Sequence, residues 1–195
     1  LAMVDLIQAK LNTWEKDQNI VAVILQSVGE KSFCAGGDVR QLYDSMVAAD
    51  GGDNPYAIGF FQREYTLNHY IHTYSKPFVV WASGICFGGG VGLTAGGSHR
   101  IVTETTRMAM PEVGIGLYPD VGGSYFLNRM PGKAGLFLGM TAYNMNGADA
   151  HYVGIGNHYL NRDDKALLFD AMATIDWSDD EASNHQRLHA LIDAM

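Results

Sequence analysis

The sequence is short of cysteine, proline and positive charge. Its 195 residues include two cysteines, Cys34 and Cys86, and five prolines. Two cysteines cannot build a disulfide framework, so stability must come from a packed core, and a reducing compartment is the simpler setting. Lysine and arginine total 13 against 21 aspartates and glutamates, a net charge of −8. Without a basic face, a nucleic acid or an anionic membrane is not an expected partner. A small anionic ligand held by a local site is still compatible. No apolar run approaches the roughly 18 residues needed to cross a bilayer. There is no low-complexity tract and no internal repeat.

Glycine, by contrast, is abundant. There are 23, most of them between positions 84 and 156, in a chain that is 47% hydrophobic. Glycines in an ordered, apolar setting mark tight turns and close approach of backbone to a ligand. The length fits one domain, 1–195, with a core of its own.

The apolar spacing of Met3, Leu6, Ile7, Leu11 and Trp14 predicts a helix over 2–17. The continuous runs NIVAVILQSV (19–28) and PFVVWAS (77–83) predict strands buried on both faces. Each is followed by a glycine loop, GEKSFCAGGD and GICFGGGVG. Helices are expected over 38–50, 56–75 and about 89–96, and short strands over 99–104 and 107–110. Two short helices over 122–140 are broken at Pro131-Gly132. A helical turn at GADAHYVG, a short strand at NHYL, and helices over 163–175 and 180–194 complete the chain. Strands joined by crossover helices predict an α/β fold with a parallel sheet. No capping residue precedes the first helix, and the chain closes inside a helical run. Both ends are therefore expected to continue in a longer protein. The opening reads as helix rather than as a leader peptide, so the expected compartment is the cytoplasm, or the mitochondrial matrix in a eukaryote.

In a parallel sheet, both glycine loops emerge at the carboxyl ends of their strands, where ligands bind. Each runs into a helix, whose free N–H groups and positive end point at the same place. Two converging amides would form an oxyanion hole. The glycines do not fit phosphate-binding patterns. Around PGKAG, Leu127 and Ala134 stand where a phosphate loop needs glycine and Ser/Thr. Counted from Gly88, the third glycine of a dinucleotide motif is replaced by Leu93.

A third loop, MPEVGIGLYPDVGG (110–123), places Glu112 and Asp120 each directly after a proline. Pro111 and Pro119 fix φ, and Gly114 and Gly116 let the chain turn between them. Spacing alone leaves other readings open. Asp120 could be a helix N-cap, Glu112 could pair with Arg107, and Glu64 could be a solvated helix residue. Asp38 reads as a cap for the helix at 38–50. His69 and His72 lie three apart on a helix with no third ligand, a weak metal signal. Cys34 and Cys86 read as small buried filler rather than nucleophiles.

KSFCAGGDVR, PFVVWASGICFGGGVGLT and MPEVGIGLYPDVGGSYFLNRMPG together resemble the crotonase (enoyl-CoA hydratase/isomerase) superfamily. The likeness runs from Leu1 to about Asp164 and is strongest to a thioester-hydrolase branch. It implies a crotonase-like spiral of parallel strands covered by helices, incomplete at both ends here. It implies that the amides of Gly37 and Gly89 bind the thioester carbonyl of an acyl-CoA. Ala35, Gly36 and Gly88 would line the substrate, with the 33–37 loop along the CoA moiety. Glu112 would be a catalytic acid, Asp120 the second carboxylate of the hydrolase branch, and Glu64, in FQREYTLNHY, a substrate-binding residue. A hydratase would carry a glutamate at position 92, which here is Gly92, and glycine at position 120. The acid pair is moved, not lost.

The implied activity is hydrolysis of a short 3-hydroxyacyl-CoA, with 3-hydroxyisobutyryl-CoA of valine breakdown as the expected substrate. No metal and no separate cofactor is called for, since CoA is part of the substrate; Lys31 and Arg40 could lend it positive charge. The expected partner is this small molecule, with self-association into a homo-oligomer a further expectation. A hydratase or isomerase, and a non-catalytic CoA-binding or self-associating shell, are the alternatives.

Overall fold

The computed structural model describes residues 1–195. The helices are α1 (Ala2–Lys16), α2 (Val39–Ala49), α3 (Pro55–His72), α4 (Gly89–Gly96), α5 (Gly123–Phe126), α6 (Ala134–Thr141), α7 (Gly147–Tyr152), α8 (Lys165–Met172) and α9 (Glu181–Asp193). The strands are β1 (Val23–Leu25), β2 (Ser32–Cys34), β3 (Phe78–Ala82), β4 (Ile85–Phe87), β5 (His99–Val102), β6 (Arg107–Ala109), β7 (Met145–Asn146) and β8 (His158–Tyr159).

The strands form two sheets, not one. The first has the order β1-β3-β5-β8 and is parallel throughout. The second has the order β2-β4-β6-β7, parallel except for the β6–β7 pair. Through the first three turns the chain lays one strand in each sheet and then leaves through a helical segment. Repeating that step stacks turn upon turn, and the result is a spiral.

The corner between the two sheets explains one glycine. Gly84 joins β3 to β4 at φ +75°, and a Cβ there would lie 2.6 Å from the Lys31 carbonyl oxygen of the turn below. Only glycine takes this backbone shape so close to another strand's backbone.

β3 is the centre of the fold, and all five of its residues are buried. Phe78, Val80 and Ala82 enter the main core with Leu67, Ile71, Val91 and Met108. Val79 and Trp81 enter a second core with Ile101, Leu168, Leu188 and Ile192, under α8 and α9. A strand buried on both faces must read as an unbroken apolar run. The buried Lys76 donates from Nζ to the carbonyls of Trp14 (2.7 Å) and Asp17 (2.8 Å), closing the end of α1. A cation is well placed there, against carbonyls at a helix C-terminus.

The expected strand over 19–28 is shorter, because its pairing with β3 begins only where the Val23 amide meets the Pro77 carbonyl (2.9 Å). α3 stops at His72 rather than at residue 75. The glycine loops also contain the strands β2 and β4.

Candidate active site

The two glycine loops meet. A Cβ on Gly89 would lie 3.5 Å from Gly36 Cα, and a Cβ on Gly36 would lie 3.6 Å from the Gly89 nitrogen. The Gly37 amide donates to no group of the chain. Gly89 is the first residue of α4, where an amide has no intrahelical acceptor. A side chain at either position would have to displace a neighbour. A Cβ on Gly37 would overlap the Phe60 ring, and one on Gly89 would stand 2.7 Å from Glu64 Oε1.

Three carboxylates surround these amides. Glu112 opens a 3-10 turn over Glu112–Ile115 directly behind Pro111. Its Oε1 lies 2.8 Å from where a Gly88 Cβ would be, its side chain is 6% exposed, and its Oε2 has no hydrogen-bond partner. Burial, with a smaller push from the Asp120 charge, raises its pKa to about 7. Glu64 comes from α3; burial first, then Asp120, raises it also to about 7. Asp120 accepts a 2.8 Å hydrogen bond at Oδ2 from the Tyr65 hydroxyl. Burial and this carboxylate together hold the Tyr65 phenol well above its ordinary pKa, so it stays a donor.

All eight residues expected at the site line one pocket of about 80 Å³: Ala35, Gly36, Gly37, Glu64, Gly88, Gly89, Glu112 and Asp120. It adjoins a larger cavity of about 570 Å³, sharing Ala35, Gly36, Gly37, Phe60, Glu64 and Gly89 with it. A long thioester can therefore lie in the larger space with its reacting carbonyl in the smaller one.

Position 92 is sealed. A Cβ there would lie 2.5 Å from Val121 Cβ. Val121 is a buried β-branched residue at φ +44°, a strained conformation immediately after Asp120. Val121 packs directly against Gly92.

The alternatives left open by spacing resolve individually. Asp120 is not a cap: α5 begins after Gly122 with no side-chain cap bond. Arg107 donates to the carbonyls of Glu104 and Thr106, not to Glu112. Asp38 does cap α2, accepting from the Gln41 amide at 3.0 Å. Burial raises both thiols, Cys86 to about 12, which suits packing rather than nucleophilic attack. Lys31 and Arg40 are exposed beside the first loop. His69 and His72 border another cavity. The group with metal-ligand spacing lies elsewhere: His158, His189 and Asp193, whose ligand atoms fall within 4.8 Å of one another. Sequence reasoning missed that group, and it missed Tyr65 and Asn68 beside the site. On a helix rich in aromatic residues, neither side chain carried a signal separating it from ordinary packing.

A two-sheet spiral whose glycine loops face buried carboxylates is a crotonase-fold protein. The chain belongs to the enoyl-CoA hydratase/isomerase family, which matches residues 1–195. It is 48% identical over 160 residues to the mitochondrial 3-hydroxyisobutyryl-CoA hydrolase of Xenopus tropicalis, covering 82% of this chain and 40% of that protein. It is 41% identical over 174 residues to the small ribosomal subunit protein mS47 of Neurospora crassa, covering 89% of this chain and 34% of that one. Among solved structures it is similar to a carnitinyl-CoA dehydratase from Mycobacterium thermoresistibile, with a TM-score of 0.86 and 42% identity, covering 99% of this chain and 52% of that one. The chain thus spans about 40% of the length of the hydrolase relative.

Proposed function

We propose that residues 1–195 act as one crotonase-like domain that hydrolyses a short 3-hydroxyacyl-CoA thioester, 3-hydroxyisobutyryl-CoA in particular. One observation carries the reading. Glu112 is buried and unpartnered at Oε2 beside the two glycine loops, while position 92, the hydratase acid site, admits no side chain. The names of the hydrolase relatives support it.

In this reading the thioester oxygen accepts from the amides of Gly37 and Gly89, which stabilise the charge that develops on it. Glu112, ionised in part near neutrality, takes a proton from water as the water oxygen bonds to the carbonyl carbon. The tetrahedral intermediate collapses, the C–S bond breaks, and the proton passes from Glu112 to the departing sulfur. The products are the free acid and CoA. Asp120, held by Tyr65, and Glu64 orient the substrate. The reaction needs no further cofactor.

The test is release of free CoA from 3-hydroxyisobutyryl-CoA, run beside hydration of crotonyl-CoA. CoA release that disappears in Glu112→Gln supports the hydrolase. Crotonyl-CoA hydration would replace it with the hydratase reading. The ribosomal relative favours a second reading, a shell that binds a partner without turnover. A folded protein silent in both assays would support that one. We place the activity in the cytoplasm, or in the mitochondrial matrix if the source is eukaryotic; no helix is long and apolar enough to cross a membrane. Exposed Leu136 and Met140 on α6 offer an apolar face for self-association, which sizing would detect.

A further inference from the structure

Asn68 is a buried polar residue that the proposed chemistry leaves idle. It is 9% exposed, and neither Nδ2 nor Oδ1 has a hydrogen-bond partner. A buried amide with neither its donor nor its acceptor used is costly, and native proteins keep few such groups. It lies on α3 one turn after Glu64, so both side chains are on one helix face. It lines the 570 Å³ cavity together with Glu64, Gly37 and Gly89. On its other side, Nδ2 lies 3.1 Å from where a Gly92 Cβ would be, and the residue also borders, with Gly92 and Val121, the cavity of about 520 Å³ that His69 and His72 line.

A 3-hydroxyacyl group brings the missing partner. Its hydroxyl both donates and accepts, as the amide does. That hydroxyl stands two carbons from the thioester carbonyl. Asn68 stands one helical turn, about 5.4 Å along the axis, from Glu64 beside the amide pair. We infer that Asn68 binds the 3-hydroxyl of the acyl chain and selects hydroxylated thioesters over their deoxy counterparts. This rests on the thioesterase reading above and adds to it the group that reads the acyl chain.

The experiment compares CoA release from 3-hydroxyisobutyryl-CoA and isobutyryl-CoA, which differ only in that hydroxyl, in the wild-type protein and in Asn68→Leu and Asn68→Ser. A site built to hydrogen-bond a hydroxyl strongly rejects the analogue lacking it, so Asn68→Leu should lower kcat/KM for the hydroxylated substrate about 100-fold while changing isobutyryl-CoA turnover by less than about threefold. Asn68→Ser, which keeps a donor and an acceptor, should retain part of the selectivity. Asn68→Leu should also raise the Tm of the free protein, because an orphaned amide is replaced by an apolar group of similar size. Equal losses on both substrates, or unchanged selectivity in both variants, would overturn the inference and leave the thioesterase reading standing. If Asn68→Leu fails to fold, Asn68→Ser with reduced selectivity supports the inference and Asn68→Ser with wild-type selectivity overturns it. A wild-type protein that releases CoA from neither substrate would overturn both readings.

Discussion

Two clusters of titratable side chains sit in this molecule, and they differ in how their hydrogen bonds close. At one end of the first sheet, His158 Nδ1 meets Asp193 Oδ1 at 3.0 Å, His189 Nε2 meets Asp193 Oδ2 at 3.2 Å, and His189 Nδ1 meets His158 Nε2 at 3.2 Å. Every polar atom of that group faces another. At the glycine loops, Glu112 Oε2 is buried facing none, and Asn68 is left with an idle amide. Packing that only needs stability satisfies its polar groups; a place that awaits a ligand leaves them open. The histidine cluster closes on itself, and the carboxylate cluster keeps unpaired polar atoms.

The largest effect expected from breaking this contrast is at Glu112. Glu112→Gln should lower CoA release about 1,000-fold while acyl-CoA binding persists, measured by turnover and by ligand titration; losses of 10²–10⁴ are usual for a general base. Next is Gly89→Val, which displaces the Glu64 carboxylate and one amide donor. It should lower kcat about 100-fold or more, as removal of an oxyanion donor does. Third is pH. With Glu112 raised to about 7, the rate should rise as pH increases through that value. Stability should move the other way. Between the ordinary value of 4.5 and about 7, the folded protein keeps a proton that the unfolded chain has released, so raising pH across that window favours unfolding. Thermal melts across the window should show the fall, and Glu112→Gln should reduce it, leaving the share of Glu64, which is also raised to about 7. The smallest effect is at the closed cluster. Asp193→Asn should cost about 1 kcal/mol of stability and leave CoA release within twofold, because those bonds serve packing alone.

Much of the first sheet was legible because a doubly buried strand leaves an unbroken apolar run, as Phe78–Ala82 does. Of the second sheet only β6 was, as the short strand expected over 107–110. β2 and β4 are three residues each, carry cysteines, and sit against glycines, so they read as loop. β7 has two residues, too few for any period. The site residues were recovered through the family resemblance more than through local pattern. By spacing alone, Asp120 passed for a cap, and only the fold shows the Tyr65 hydroxyl reaching it across 55 residues of sequence. Asn68 could not be read at all, since an orphaned amide is a property of three-dimensional surroundings.

The seal between Gly92 and Val121 couples what can stand at the two positions. A glutamate at position 92 would be needed to restore the hydratase acid, and its Cβ would collide with Val121 before its carboxylate reached the site. Val121 would have to change as well, and Val121 directly follows Asp120. An acid at position 92 therefore takes two substitutions, one of them beside the second carboxylate. The contact makes the two positions interdependent: a side chain at 92 needs a smaller residue at 121 first.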